Sequence, residues 1–170
     1  MEADSHPEIL NHKLYFDKHE LSTFTENIQG KPLEEKRYYS IDELLSHMII
    51  NSDNDAAFLL AKNLNVRTYK KFFSDLGLAE PDIFRQEYYT NVIDCIKMFR
   101  VIYNGSYVGR QMSEYALDML TKCEYKEGLL RGVDAGVPVA RGRSVAGRFV
   151  RPIRARFCPR RRLRRGDHRG

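Results

Sequence analysis

Apolar residues along this 170-residue chain recur mostly at helical spacing, and polar clusters cut them into short segments. "HPEILNHKLYF" is a first short segment with Ile9, Leu10 and Leu14 along one side, read here as helical. Residues 22–39 are polar, with "QGKP" at 29–32 as a turn. Ser40 and Glu43 then form a capping box that opens "SIDELLSHMII", whose buried stripe is Leu44, Leu45, Met48 and Ile49. The pattern predicts a second helix from about Asp53 to Asn63, burying Ala57, Leu60 and Leu64. In "TYKKFFSDLG", Phe72, Phe73 and Leu76 face inward and Gly77 stops the helix. "NVIDCIKMFRVIY" repeats apolar residues at 92, 96, 99 and 103 and ends at the "NGS" turn, and Ser113 with Glu114 starts a last helix through "YALDMLTKC". From Gly128 the signals change: "AGVPVA" reads as a turn and a short strand, and no apolar period continues beyond Ala140. The class is therefore mainly α, with no internal repeat and no heptad.

Composition sharpens the division at the C-terminal end. Residues 1–126 hold 15 Lys and Arg against 20 Asp and Glu, a balance of −5. Residues 127–170 hold 13 Arg, no Lys and three acids, a balance of +10. The overall +5 thus describes an acidic body with an arginine-loaded tail and not a uniformly basic protein. No apolar run reaches the length of a membrane span, and "MEADSHPEIL" has neither the basic region nor the apolar stretch of a signal peptide. Cys95, Cys123 and Cys158 are widely spaced, form no zinc pattern, and read as free thiols, buried where they fall in amphipathic segments.

One interruption asks for more than periodicity. In "MIINSDNDAAFLL" five small polar residues, Asn51 to Asp55, separate two apolar helices. A plain helix–helix corner would use Ser52 as the N-cap of the second helix and place Asp55 at its positive end. That leaves two asparagines unexplained. A corner between buried helices can also hold a serine hydroxyl and an amide rigidly at the edge of a cleft. Ser–Asp–Asn is one of three signatures of penicillin-recognising serine hydrolases, beside Ser-x-x-Lys and Lys-Thr-Gly.

The surroundings carry the match further. "YYSIDELLSHMIINSDNDAAFLLAKNL", then "YYTNVIDCIKMFRVIYNGSYV" and "SEYALDMLTKCEYKEGLLRGVDAGVPVA", resemble class A β-lactamases and their D,D-peptidase relatives over roughly residues 1–140. The resemblance implies the helical lobe of the β-lactamase-like α/β fold, with "GVPVA" leading into the strand that bears Lys-Thr-Gly. It implies that Ser52 relays protons to the leaving group, that Asn54 holds the amide side chain of a bound substrate, and that Asp53 braces the corner backbone. The implied substrate is a β-lactam, hydrolysed through an acyl-enzyme in antibiotic resistance, or a peptidoglycan peptide. No cofactor and no metal are implied. The family works outside the cytoplasmic membrane, while this chain by itself leaves its compartment open.

The sequence departs from the family in three places. None of its nine serines has lysine three positions on, the pair that turns a serine hydroxyl into a nucleophile. In the family that pair precedes a segment like "EADSHPEIL", so Met1 is expected to stand inside the domain. None of its ten lysines is followed by Ser or Thr and Gly, and Arg141, Gly142 and Arg143 follow "GVPVA" instead. That signature grips the substrate carboxylate and lines the oxyanion site. The family's deacylating glutamate has no counterpart in context, Glu80 and Glu87 being the glutamates in that interval. The chain alone is thus expected to be an inactive part of a serine hydrolase: residues 1–140 a partial domain, residues 141–170 an arginine-rich tail.

Simpler explanations cover the remaining features. His6, His12 and His19 lack a metal-ligand partner at helical spacing and read as solvated. Tyr38, Tyr39, Tyr88 and Tyr89 read as packing over the helices with hydroxyls outward, in preference to a base-stacking set. "RGD" at 165–167 lies in a tail rich in both residues and carries no adhesion signal. The tail could bind an anionic partner with steep salt dependence, but nucleic acid is not the expected partner. The tail loses lysine and apolar periodicity where the resemblance ends, and its Arg, Gly, Pro and Ala are what GC-rich codons give out of frame. It is expected to be disordered or a reading-frame slip. The expected strand, with lysine before a small residue and glycine, should then lie in another frame just past the Ala140 codon. Translating the two other frames checks this, and its absence from both would contradict the slip.

Overall fold

The structure, a computed structural model, describes residues 1–21, 32–80, 91–123, 139–140 and 155–156. A short helix α1 (Glu2–Ser5) and a 3-10 turn (Pro7–Asn11) open the chain. Next comes strand β1 (Lys13–Phe16), so the segment read as helical is a turn followed by a strand. Its partner is β2 (Arg37–Ser40), antiparallel, with Leu14 opposite Tyr39 and Tyr15 opposite Tyr38. Pleating explains the distribution: Phe16 and Tyr39 are buried, while Tyr15 and Tyr38 pack outside with tilted rings, centroids 5.1 Å apart. Tyr39 therefore does not turn its hydroxyl to solvent; the hydroxyl accepts the Glu34 N–H at 2.7 Å.

The capping box forms as read. In α2 (Ile41–Ile50) the Ser40 hydroxyl accepts the Glu43 N–H at 3.1 Å, and the Glu43 carboxylate accepts the Ser40 N–H at 2.7 Å. That backbone bond favours the ionised form and holds the Glu43 carboxyl below its ordinary range. Helix α3 (Asn54–Lys62) follows after the polar corner. It buries Ala56 and Leu59, one residue earlier in register than the expected Ala57 and Leu60, and Leu64 lies past its end and exposed.

Helix α4 (Val66–Asp75) is capped by Asn65 and buries Phe73. Its end is a Schellman motif: Gly77 at φ +60° lets its own N–H reach the Ser74 carbonyl and the Leu78 N–H reach that of Phe73. Gly105, at φ +59°, ends α5 (Val92–Asn104) in the same left-handed conformation. The apolar positions of α5 pack less than their spacing suggests, since Val92, Ile93, Ile96 and Tyr103 are all exposed.

Helix α6 (Arg110–Thr121) starts three residues before the expected Ser113. The reason lies far away in sequence: the Asp4 carboxylate accepts the Gly109 N–H at 2.9 Å, a cap that local residues do not reveal. Ser113 is instead buried inside the helix. The Tyr115 hydroxyl donates to Asp42, tying α6 to α2. Burial and the Asp42 charge together push that phenol upward.

The short strand expected in "GVPVA" is β3 (Val139–Ala140), which pairs antiparallel with β4 (Ala155–Arg156). A strand within the arginine-rich segment was not expected from its composition. Residues 29–31 of the expected turn, Glu87, Tyr88, Tyr89, Cys158 and the 165–167 tripeptide lie outside the described residues.

The core cluster joins Phe16, Leu33, Tyr39, Leu44, Ala56 and Leu59, with Leu14, Met48, Phe58 and Leu60 packed against it. Of the expected α2 stripe, Leu44 is the fully buried member. Helix α2 is central: it packs against α3, α6, β2 and the Pro7–Asn11 turn. Cys123 is buried and Cys95 half-buried, neither in a disulfide. Among the described residues no helix is long and apolar enough to cross a membrane. The architecture is mainly α, with two short antiparallel strand pairs among the described residues.

Candidate active site

Helix α2 ends at Ile50 and α3 begins at Asn54, so the whole reversal falls on Asn51, Ser52 and Asp53. The carbonyl of His47, in the last turn of α2, accepts two amides across it: Asn51 N–H at 3.2 Å and Asp53 N–H at 3.1 Å. Ser52 stands between these anchored amides at φ +55°. This is the left-handed region that glycine occupies at the ends of α4 and α5. A serine pays a steric penalty there and persists only where its surroundings fix it.

Asp53, not Ser52, is the N-cap of α3. Its Oδ1 accepts the N–H groups of Asp55 at 2.9 Å and Ala56 at 3.2 Å. Both serine and aspartate make good caps, and the left-handed turn at Ser52 moves the capping position one residue on. The Asp53 side chain is 2% exposed, so its charge is offset by these donors and by the positive end of α3. Its Oδ2 lies 3.6 Å from Nδ1 of His47.

Ser52 and Asn54 are half-buried on either side of this carboxylate. A hydroxyl that both donates and accepts, and a primary amide that does the same, are thus held within one short turn. The corner can exchange a proton and grip an amide. Among the described residues no group of three or more His, Cys, Asp or Glu side chains could hold a metal ion.

The other sequence candidates lie apart from this corner. Glu80 pairs with Lys70 of α4 at 3.6 Å, both exposed. His6 pairs with Glu8 at 3.1 Å on the surface. His6 and His12 also line an open depression with Glu2, Asn63 and Asn65. Sequence reading did not single out His47. Its place five residues before Ser52 puts it on the last turn of α2, the one signal that could have found it.

Comparison with known proteins bears on the whole lobe. A sequence profile of the β-lactamase enzyme family matches residues 10–143, three residues into the arginine-rich segment. No curated protein matches. The structure of PBP-A is 18% identical with a TM-score of 0.66, covering 83% of this chain and 55% of that one. The β-lactamase of Sphaerobacter thermophilus is 15% identical with a TM-score of 0.64, covering 84% and 59%. TLA-1, an extended-spectrum β-lactamase, is 19% identical with a TM-score of 0.63, covering 83% and 56%. At such identities these likenesses show the fold, and the chain spans little more than half the length of each structure. With the profile covering most of the sequence and the helical lobe superposing on these structures, the chain belongs to the β-lactamase enzyme family.

Proposed function

We propose that the chain supplies the substrate-facing corner of a class A β-lactamase-like, penicillin-recognising serine hydrolase. Ser52 is the proton relay: it passes a proton to the leaving nitrogen as the amide bond of a β-lactam or a peptidoglycan peptide breaks. Asn54 holds the amide side chain of that substrate, and Asp53 braces the turn between them. The observation that carries the reading is Ser52 at φ +55°, between two amides bonded to one carbonyl. A backbone fixed in this way sets the point from which the Ser52 hydroxyl projects, as a proton relay requires.

The fold likeness supports the same class. One PBP-A structure is an acyl-enzyme complex with penicillin G, which is a property of that protein. β-Lactam and cell-wall peptide present the same kind of amide to such a corner, so both remain in the substrate class proposed. The arginine-rich segment has no part in this reading.

The chemistry also requires an activated serine, and none of the nine serines here has lysine one helical turn on. The chain as it stands should form no acyl-enzyme. Intact-mass spectrometry after incubation with benzylpenicillin should leave its mass unchanged, and a stoichiometric adduct on any serine would contradict the proposal.

In a complete family member carrying this corner, the counterparts of Ser52→Ala and Asn54→Ala should separate two effects. The first should slow acylation by about a hundredfold, the scale of a lost proton-transfer group. The second should mainly raise KM, by about tenfold, the scale of one hydrogen bond. Stopped-flow acylation and steady-state kinetics distinguish them. Unchanged kinetics in both would leave the corner as a plain helix junction.

A further inference from the structure

The geometry points to His47 as a positioning residue for the Ser52 corner, its imidazole Nδ1–H holding the second oxygen of the Asp53 carboxylate. The inference deepens the proposed role of that corner and rests on it only for its consequence in catalysis.

His47 meets Asp53 through both its backbone and its ring. Through its backbone, the carbonyl accepts the Asp53 N–H at 3.1 Å. Through its side chain, Nδ1 stands 3.6 Å from Asp53 Oδ2, while Oδ1 is already committed to the start of α3. Among the described residues His47 Nδ1 is a buried atom with no closer hydrogen-bond partner. A buried ring nitrogen facing a carboxylate oxygen is stable with a hydrogen between them and repulsive with two lone pairs opposed. Both the imidazolium and the Nδ1–H neutral tautomer supply that hydrogen.

The ring is itself held. Tyr39, buried on β2, sets its ring edge-on to the imidazole at 5.9 Å and 76°. The Tyr39 hydroxyl is fixed in turn by the Glu34 N–H. A chain of contacts therefore runs from the β-ribbon through Tyr39 and His47 to Asp53, and ends at the peptide that follows Ser52. At 3.6 Å the two atoms face each other just beyond hydrogen-bond range, and an approach of a few tenths of an ångström would make the charge-assisted bond that fixes the carboxylate plane.

Two measurements on the full chain test this. Imidazole ¹⁵N NMR at about pH 8, where an ordinary histidine is neutral, should show hydrogen on Nδ1 of His47. Hydrogen exchange of the Asp55 and Ala56 amides should speed up about tenfold in His47→Gln, which places no donor at the Nδ1 position. His47→Asn puts its amide nitrogen near that position and should restore exchange to within about threefold of the native rate. An Nε2–H tautomer, or equal exchange in the Asn and Gln variants, overturns the inference. The native spectrum decides it even if a variant fails to fold. None of these readouts depends on activity, so a failure here is separate from a failure of Ser52 as a proton relay.

Discussion

The Asp53 carboxylate is the group around which this lobe is organised. It is almost fully withdrawn from water, and an ionised carboxylate there costs several kcal/mol unless donors surround it. Those donors exist only if α3 starts at Asn54 and the chain turns at Ser52. Helix α3 cannot shift or unwind its first turn without stranding the charge. Since α2 and α3 between them supply Leu44, Ala56 and Leu59 to the core, the carboxylate also fixes how the core closes.

The strain at Ser52 follows from that constraint. Elsewhere the chain reverses after a helix with glycine, at Gly77 and Gly105, where a left-handed residue meets little resistance. Among the described residues only Lys36 and Ser52 take positive φ without being glycine. Lys36 belongs to an exposed turn leading into β2, whereas Ser52 is half-buried beside a buried charge. Glycine would serve the turn as well and carries no hydroxyl. A hydroxyl at the less comfortable choice is what the proposed proton relay calls for.

Much of this was legible in the residues, and the misses have physical causes. The Ser40–Glu43 box was readable because both partners lie within one helical turn. The corner at 51–55 was readable because five polar residues break an apolar stripe. Which residue caps α3 was not readable, because a left-handed turn leaves no mark in a sequence of adjacent good caps. Strand β1 was missed because its partner lies some twenty residues on. The start of α6 was missed because its cap comes from Asp4, at the other end of the chain. In α5 the period was right, but period alone does not say whether a neighbour covers the face. His47 went unnoticed because its role depends on a side-chain approach that no spacing rule encodes.

The central claim is that Ser52 is held in the left-handed conformation by its surroundings. The most direct test compares the stability of Ser52→Gly and Ser52→Ala in the full chain by chemical denaturation. At φ +55° the glycine variant should be more stable than the alanine variant by about 1 kcal/mol, because only alanine retains the steric penalty. If alanine proves the more stable, as it is at ordinary helical positions, Ser52 is not left-handed and the account of the corner fails.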